Sequence, residues 1–452
     1  MKRNSLLRNL LCCVWCIVHC AMISCTNDES FTTSREDMLT FTADTLRMDT
    51  VFSNVGSATY TFWVYNHTNQ GIRLNSVRLK NGNQTGFRVN VDGSYLDNTL
   101  GAVVTDIEVR KGDSLCVFVE LTSPETHQLE PQMVSDDLLF LLESGIEQRV
   151  RLEAWAWDAE KWTDKVISRD TIIYTRVPIV LYGSGLRVDS GAVLTLVGTT
   201  LYFHDGAGID VYGRIEAEDC VMRGDRLDHM FDYLPYDRIS GQWRGLWFAP
   251  SSTGNMLIGT EIRNANAGIC LSDSSEFNRG QLRLGMSHCV VHNTKGHGLV
   301  SYHSNIALEY CQLTNSFGDC LAVYGGICTV DHCTLAQFYP FSAECGAALR
   351  FVANGDIYFV CTNSIVTGYE EDVVMGEVTD TTAVYAYQFS DCLLRTPKVE
   401  NDTVGFRNII WETPKDSIQG KKHFARIDED NLYYDFHLDS LSIAKGKGCY
   451  PE

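Results

Sequence analysis

With 452 residues, 44% hydrophobic and 11% aromatic, the chain is long enough for two domains with their own cores and too apolar for a disordered tract. Its formal net charge of −20 argues against nucleic acid or anionic lipid heads as partners.

Lys2, Arg3 and Arg8 precede an apolar run from Leu10 to Ile23, too short to span a bilayer and composed like an export signal. The run ends Met22-Ile23-Ser24-Cys25, so residues 1–24 are expected to be removed and Cys25 acylated. An acylated Cys25 would anchor the protein to a membrane without threading it through. Thr26-Asn27-Asp28-Glu29-Ser30 follows, and an acidic stretch behind a lipid cysteine resembles the surface-export signal of Bacteroidetes lipoproteins. The expected address is the outer membrane, on its exposed face. Loss of three basic residues and no acid takes the charge from −20 to −23.

Residues 25–40 read as a linker, and 41–175 as a β-sandwich of immunoglobulin-like type. DTLRMDTVF, ATYTFWVYN, IRLNSVRL, FRVNV, VVTDIEV, SLCVFVEL, DLLFLLE and RVRLEAWAW are alternating or apolar runs separated by turn residues. Asn81-Gly82 is a hairpin signal. The segment holds no paired nucleophile and base, which suits a spacer or adhesive module.

From 176 to 452 the chain is expected to form a right-handed parallel β-helix. Cys289, Cys311 and Cys333 recur every 22 residues, with Asn264, Asn293 and Asn315 as a second column and Ile269, Leu299 and Leu321 as a third. Period-2 alternation places three strands in each coil. Leu299 and Ser301, Ile306 and Leu308, and Cys311 and Leu313 point inward, and coils stack about 4.8 Å apart. The Asn column belongs at a corner, where an amide tolerates left-handed dihedrals and bonds to the backbone.

Twelve cysteines follow Cys25. The column of three reads as small core residues: adjacent coils hold the sulfurs too far apart for an unstrained disulfide, and the spacing fits no zinc pattern. His288, Tyr310 and His332 fall beside it, one per coil, and read as a structural stack.

Two groups carry candidate chemistry. Gly296-His297-Gly298 resembles one motif of polygalacturonase-type glycosidases, and Asp319, one coil later, could pair with His297, so these two are the catalytic candidates. The other motifs of those enzymes are missing. The excursion from Met222 to Gln242 interrupts the coils, and Asp225, Asp228, Asp232, Tyr236, Asp237 and Trp243 are its ligand-binding candidates, for a sugar or for Ca²⁺. No other cofactor or metal is expected. Outward positions of the first strand, read as Cys270, Val300, Ala322 and Ala348, and of the third, Gln312, Thr314 and Thr334 after Glu261, Arg263 and His292, offer little for acid–base work.

DTVFSNVGSATYTFWVYN, RGDRLDHMFDYLPYDRISGQWRGLWF, NSIVTGYEEDVVM and YYDFHLDSLSIAKGKG together resemble a family of Bacteroidetes surface lipoproteins. The resemblance spans nearly the whole chain behind the signal. It implies a β-sandwich followed by a right-handed parallel β-helix at the cell surface, and no particular reaction. The expected function is therefore binding of a glycan or a surface protein without catalysis, the membrane being met only through the lipid. The alternative is a lyase or glycosidase acting on acidic polysaccharide.

Overall fold

The computed structural model describes residues 30–229, 235–273, 280–412 and 419–452. They divide into two compact units, one holding the described residues up to Arg47 with Thr59–Thr122 and Val134–Glu153, the other Met48–Ala58, Ser123–Met133 and everything from Ala154.

Alternation in the N-terminal strands builds two five-stranded sheets. The first runs Thr40–Phe41, Tyr60–Tyr65, Ser114–Leu121, Phe87–Val91, Ser94–Tyr95; the second Thr45–Phe52, Glu147–Trp157, Gln132–Leu142, Ile72–Leu79, Val103–Val109. Phe62, Val64, Val117 and Val119 of the first and Leu74, Val77, Phe140 and Leu152 of the second are buried, and Phe41 meets Phe140 with ring centroids 5.1 Å apart. This is the expected all-β sandwich.

The rest of the fold is one parallel sheet of 25 strands wound into a β-helix. It opens earlier than expected. Glu160–Ile167 pairs in parallel with Ile179–Val188, and Thr171–Tyr174 with Val193–Val197, although both first strands lie inside the stretch 41–175 assigned to the sandwich. Alternation reports which face of a strand is buried, not which neighbour it pairs with, so these strands resembled those before them. The coil also closes earlier than residue 452: the sheet ends at Ile410–Glu412, and the hairpin of Phe424–Asp428 and Tyr433–Leu438 pairs antiparallel outside it.

Inside the coil, like stacks on like. Ile269, Leu299, Leu321 and Leu349 are in register on the first face, Leu284, Ile306, Cys328 and Phe359 on the second, Ile262, Val291, Leu313, Leu335 and Val366 on the third. All are fully buried, and each large aliphatic side chain so enclosed contributes about 1.5–3 kcal/mol. In the middle coils the first two strands fuse into Leu299–Glu309 and Leu321–Asp331. The corner between them is a bend made by left-handed His303 (φ 42°) and Gly325 (φ 66°); a Cβ on the next residue, Gly326, would lie 2.3 Å from the Ser304 carbonyl oxygen.

The corner between second and third faces explains five of the cysteines. One residue there is left-handed in eight successive coils: Gly198, Asp219, Gly259, His288, Tyr310, His332, Asn363, Asp391. The residue after it carries a small donor, Thr199, Cys220, Thr260, Cys289, Cys311, Cys333, Ser364 or Cys392, each donating to the carbonyl oxygen two residues earlier. Cysteine thus serves here as an apolar-tolerant relative of Thr and Ser. His288, Tyr310 and His332 stack at that corner with centroids 5.0 and 4.8 Å apart.

The twelve cysteines among the described residues are free thiols, and only Cys116, Cys270 and Cys345 are partly exposed. Burial pushes Cys320 up to about 12 and drives Cys328 higher still. Because the thiolate is the reactive form, maleimide should modify those three first and the others only on unfolding. Site-resolved mass spectrometry checks this, and labelling of Cys311 in the native protein would contradict the stacked corner.

Candidate functional site

The excursion expected to bind a ligand folds onto the coil instead of presenting its acids. Cys25 and Asp232 lie outside the described residues. Trp243 is fully buried, stacked on Phe203 at 4.1 Å, its Nε1–H donating to the Arg263 carbonyl oxygen at 2.8 Å, so it is unavailable as a sugar platform. Asp228 accepts two hydrogen bonds of 2.6 Å from Arg226, whose guanidinium also lies 4.3 Å from the Tyr236 ring centroid. Asp225 is 2.7 Å from His204 Nδ1, and burial raises its carboxyl above the usual range despite that partner. Among the described residues no three His, Cys, Asp or Glu are grouped to hold a metal ion. Asp228 is thus paired with Arg226 and Asp225 with the His204 ring, whereas Asp237 lines the cleft described below.

His297 and Asp319 do meet, with Nδ1 3.5 Å from Oδ2. However, His297 Nδ1 accepts the Asp319 backbone N–H at 3.0 Å, and Asp319 accepts from Ala347 N–H and Arg350 Nε at 2.8 Å each. The carboxylate is 4% exposed and committed to its own coil and the next. The same region corrects the outward column: Ala322 is in register with Arg350, whereas Ala348 is a core residue. Ala347, Ala348 and Leu349 are all buried, so parity gave no sign of the register at that longer coil.

A different site emerges on the third face. Its outer surface in the later coils is covered by the C-terminal segment: Ala336, Phe338, Ile365 and Leu393 pack against Phe424, Phe436 and Ala444. Thr314 and Thr334, outward by parity, are therefore buried, and Cys449 N–H donates to Thr334 Oγ1 at 3.1 Å. Their lack of charge reflects a covered surface.

Toward the earlier coils the cover stops and leaves a cleft of about 540 Å³. Its floor is the third face, with Glu261, Arg263, His292 and Gln312. The excursion forms one wall with Arg223, Asp237 and Arg238, and the hairpin forms the other with Leu432–His437. The Asn column holds the first wall: Asn264 (φ 64°) donates its amide to the Asp237 carbonyl at 2.7 Å, and Asn293 (φ 58°) donates to that of Arg238. Arg238 in turn donates to the Asn431 carbonyl oxygen at 2.7 Å, tying the walls together.

His292 is neutral at ordinary pH, because burial, and then the charge of Arg263, pulls it down to about 3; its Nδ1 lies 2.8 Å from Thr314 Oγ1. At the mouth Tyr433 is 45% and Phe341 40% exposed, beside Tyr450 stacked on His437 at 4.0 Å. Glu261, Arg263 and His292 were legible as outward residues. Tyr433, Tyr434 and Phe436 were not, although the alternating ends of FARIDEDNLYYDFHL around Asp-Glu-Asp-Asn carry a hairpin signal.

The family described as a right handed beta helix region matches residues 166–336. No curated protein matches the sequence. Among solved structures the chain is similar to a protein of unknown function from Porphyromonas gingivalis W83, at 11% identity over 30% of this chain and 59% of that one, with a TM-score of 0.20. It is also similar to a family 123 glycoside hydrolase from Clostridium perfringens, at 7% identity over 30% of each chain and a TM-score of 0.20. A third is the catalytic unit of a GH87 α-1,3-glucanase from Streptomyces thermodiastaticus strain HF3-3, at 8% identity over 73% of this chain and 90% of that one, with a TM-score of 0.14. The protein thus contains a right-handed β-helix region.

Proposed function

We propose that this is a lipid-anchored surface protein that binds a glycan in the cleft between the third face of its β-helix and its C-terminal hairpin. One observation carries the reading: a cleft of about 540 Å³ with a polar floor and exposed aromatic rings at its mouth. Sugar rings present apolar faces to aromatic side chains and hydroxyls to polar groups, and sites of about 300–1,000 Å³ suit small oligosaccharides. The address rests on the signal-like run, Cys25 and the acidic residues behind it, in line with the resemblance to Bacteroidetes surface lipoproteins. A binding role is favoured over turnover by Asp319, whose oxygens are held by Arg350 and Ala347.

A glycan array followed by calorimetry on the protein tests the binding role. Tyr433→Ala and Phe341→Ala, both at exposed positions, should weaken binding about tenfold, the loss of one stacking contact of ~1.4 kcal/mol. An array without a bound glycan would refute the reading. For the address, radiolabelled palmitate should enter the parent chain and not Cys25→Ala, and protease applied to intact cells should remove the protein.

A further inference from the structure

We propose, on the basis of the glycan reading above, that the cleft selects an acidic glycan and seats a uronate carboxylate against Arg223 and Arg263. The two arginines stand on adjacent coils: Met222 is in register with Ile262, which places Arg223 beside Arg263 on the outer side of the third face, at the interstrand spacing of about 4.8 Å. Like charges on neighbouring strands repel, and an anion between them removes that cost.

Arg223 has no bonded carboxylate among the described residues, and Arg263 is paired with Glu261 alone. The donors of Arg223 reach the carbonyl oxygens of Gly224, Arg226 and Asp237 at 3.3, 3.1 and 3.1 Å. Arg263 donates to Glu261 through one terminal nitrogen, while its buried Nε finds no partner. The other two acids of the cleft are engaged, Asp435 with His437 and Asp237 with His229 and Arg238. Burial lowers Arg223, and burial together with the charge of Arg223 brings Arg263 down to about 10, so Arg263 stays charged at neutral pH.

One further buried atom of the cleft also lacks a partner, Asn293 Oδ1, an acceptor. The Asn293 amide is oriented by its two acceptors, the Arg238 carbonyl and Asn264 Oδ1, which leaves its own oxygen for a donor. A ligand that fits must therefore bring an anion for the arginines and a hydroxyl for Asn293. A uronic acid carries both on one ring, whereas sulfate, which has no donor, leaves the Asn293 oxygen unmatched. In a chain of net charge −20, this local pair rather than long-range attraction would draw such a ligand.

The test is calorimetry on the whole protein with trigalacturonate, its fully methyl-esterified counterpart and a neutral galactotriose. Trigalacturonate should bind at least tenfold tighter than its ester and weaken as salt rises, and Arg263→Gln or Arg223→Gln should abolish that preference. The acid-to-ester ratio is measured on the parent protein, so it stands even where a variant fails to fold. Equal binding of acid and ester, or binding of the neutral sugar alone, overturns the acidic subsite and leaves the glycan reading in place. If no sugar binds here or on the array, both readings fall.

Discussion

Replacing Glu412 by alanine is expected to cost about 3–5 kcal/mol, because it strips one partner from a buried ionic cluster and leaves the others unpaired. Glu412 ends the last strand of the parallel sheet, with its side chain 1% exposed. One oxygen accepts from Thr367 Oγ1 at 2.6 Å, and the other lies 3.3 Å from His423 Nε2 and 3.5 Å from Arg395 NH1. Arg395 and His423 are equally enclosed, so they cannot recruit water to replace a lost carboxylate. Since His423 belongs to the turn that leads into the C-terminal hairpin, the variant should loosen the wall of the cleft before the rest of the coil. Urea unfolding measures the cost, and limited proteolysis should show cleavage beyond residue 412; a loss below about 1 kcal/mol would mean that the cluster adds little.

Acid sensitivity follows from the same site. Burial alone would raise the Glu412 carboxyl, but the adjacent His423 ring, a hydrogen bond from Thr367 and the charge of Arg395 outweigh it and hold it below the usual carboxylate range. A depressed native pKa means that this stability is fully present above the unfolded value and is lost as pH falls through the native one. Glu412→Gln should therefore flatten the decline in stability on the acid side.

Trp243→Ala should destabilise the coil by a comparable amount, about 3–5 kcal/mol, through the cavity left beside Phe203. The indole is wholly enclosed where the excursion returns to the helix, and it makes an isolated parallel bridge with Ala265. Trp243→Phe keeps a ring against Phe203 and loses chiefly the bond to the Arg263 carbonyl, a cost of about 1 kcal/mol. That carbonyl belongs to the strand under the cleft, so the Phe variant should fold yet bind more weakly. Thermal unfolding beside glycan calorimetry separates the two effects, and unchanged affinity would show that the indole has no influence on the floor.

Much of this architecture was written in short-range pattern. The 22-residue recurrence of Cys289, Cys311 and Cys333 named both the coil and its register, and the Asn264, Asn293 and Asn315 column pointed to a left-handed corner. Where a coil is longer, as before Leu349, the pattern slipped, and Arg350 was missed on the outer face. The acids of the excursion looked like ligands because sequence does not show that Arg226 lies against Asp228, or His204 against Asp225.

Periodicity is local information: a strand's alternation and a coil's repeat follow from a few neighbouring residues, so the all-β class, the inward columns and the stacking were readable from the chain. What covers an outward face is a long-range matter, settled by segments a hundred or more residues away. Cys449 reaches back to Thr334 and Arg238 reaches forward to Asn431. The cleft exists because the hairpin docks on the third face and stops short of Arg223, and no local pattern records where a docked segment ends.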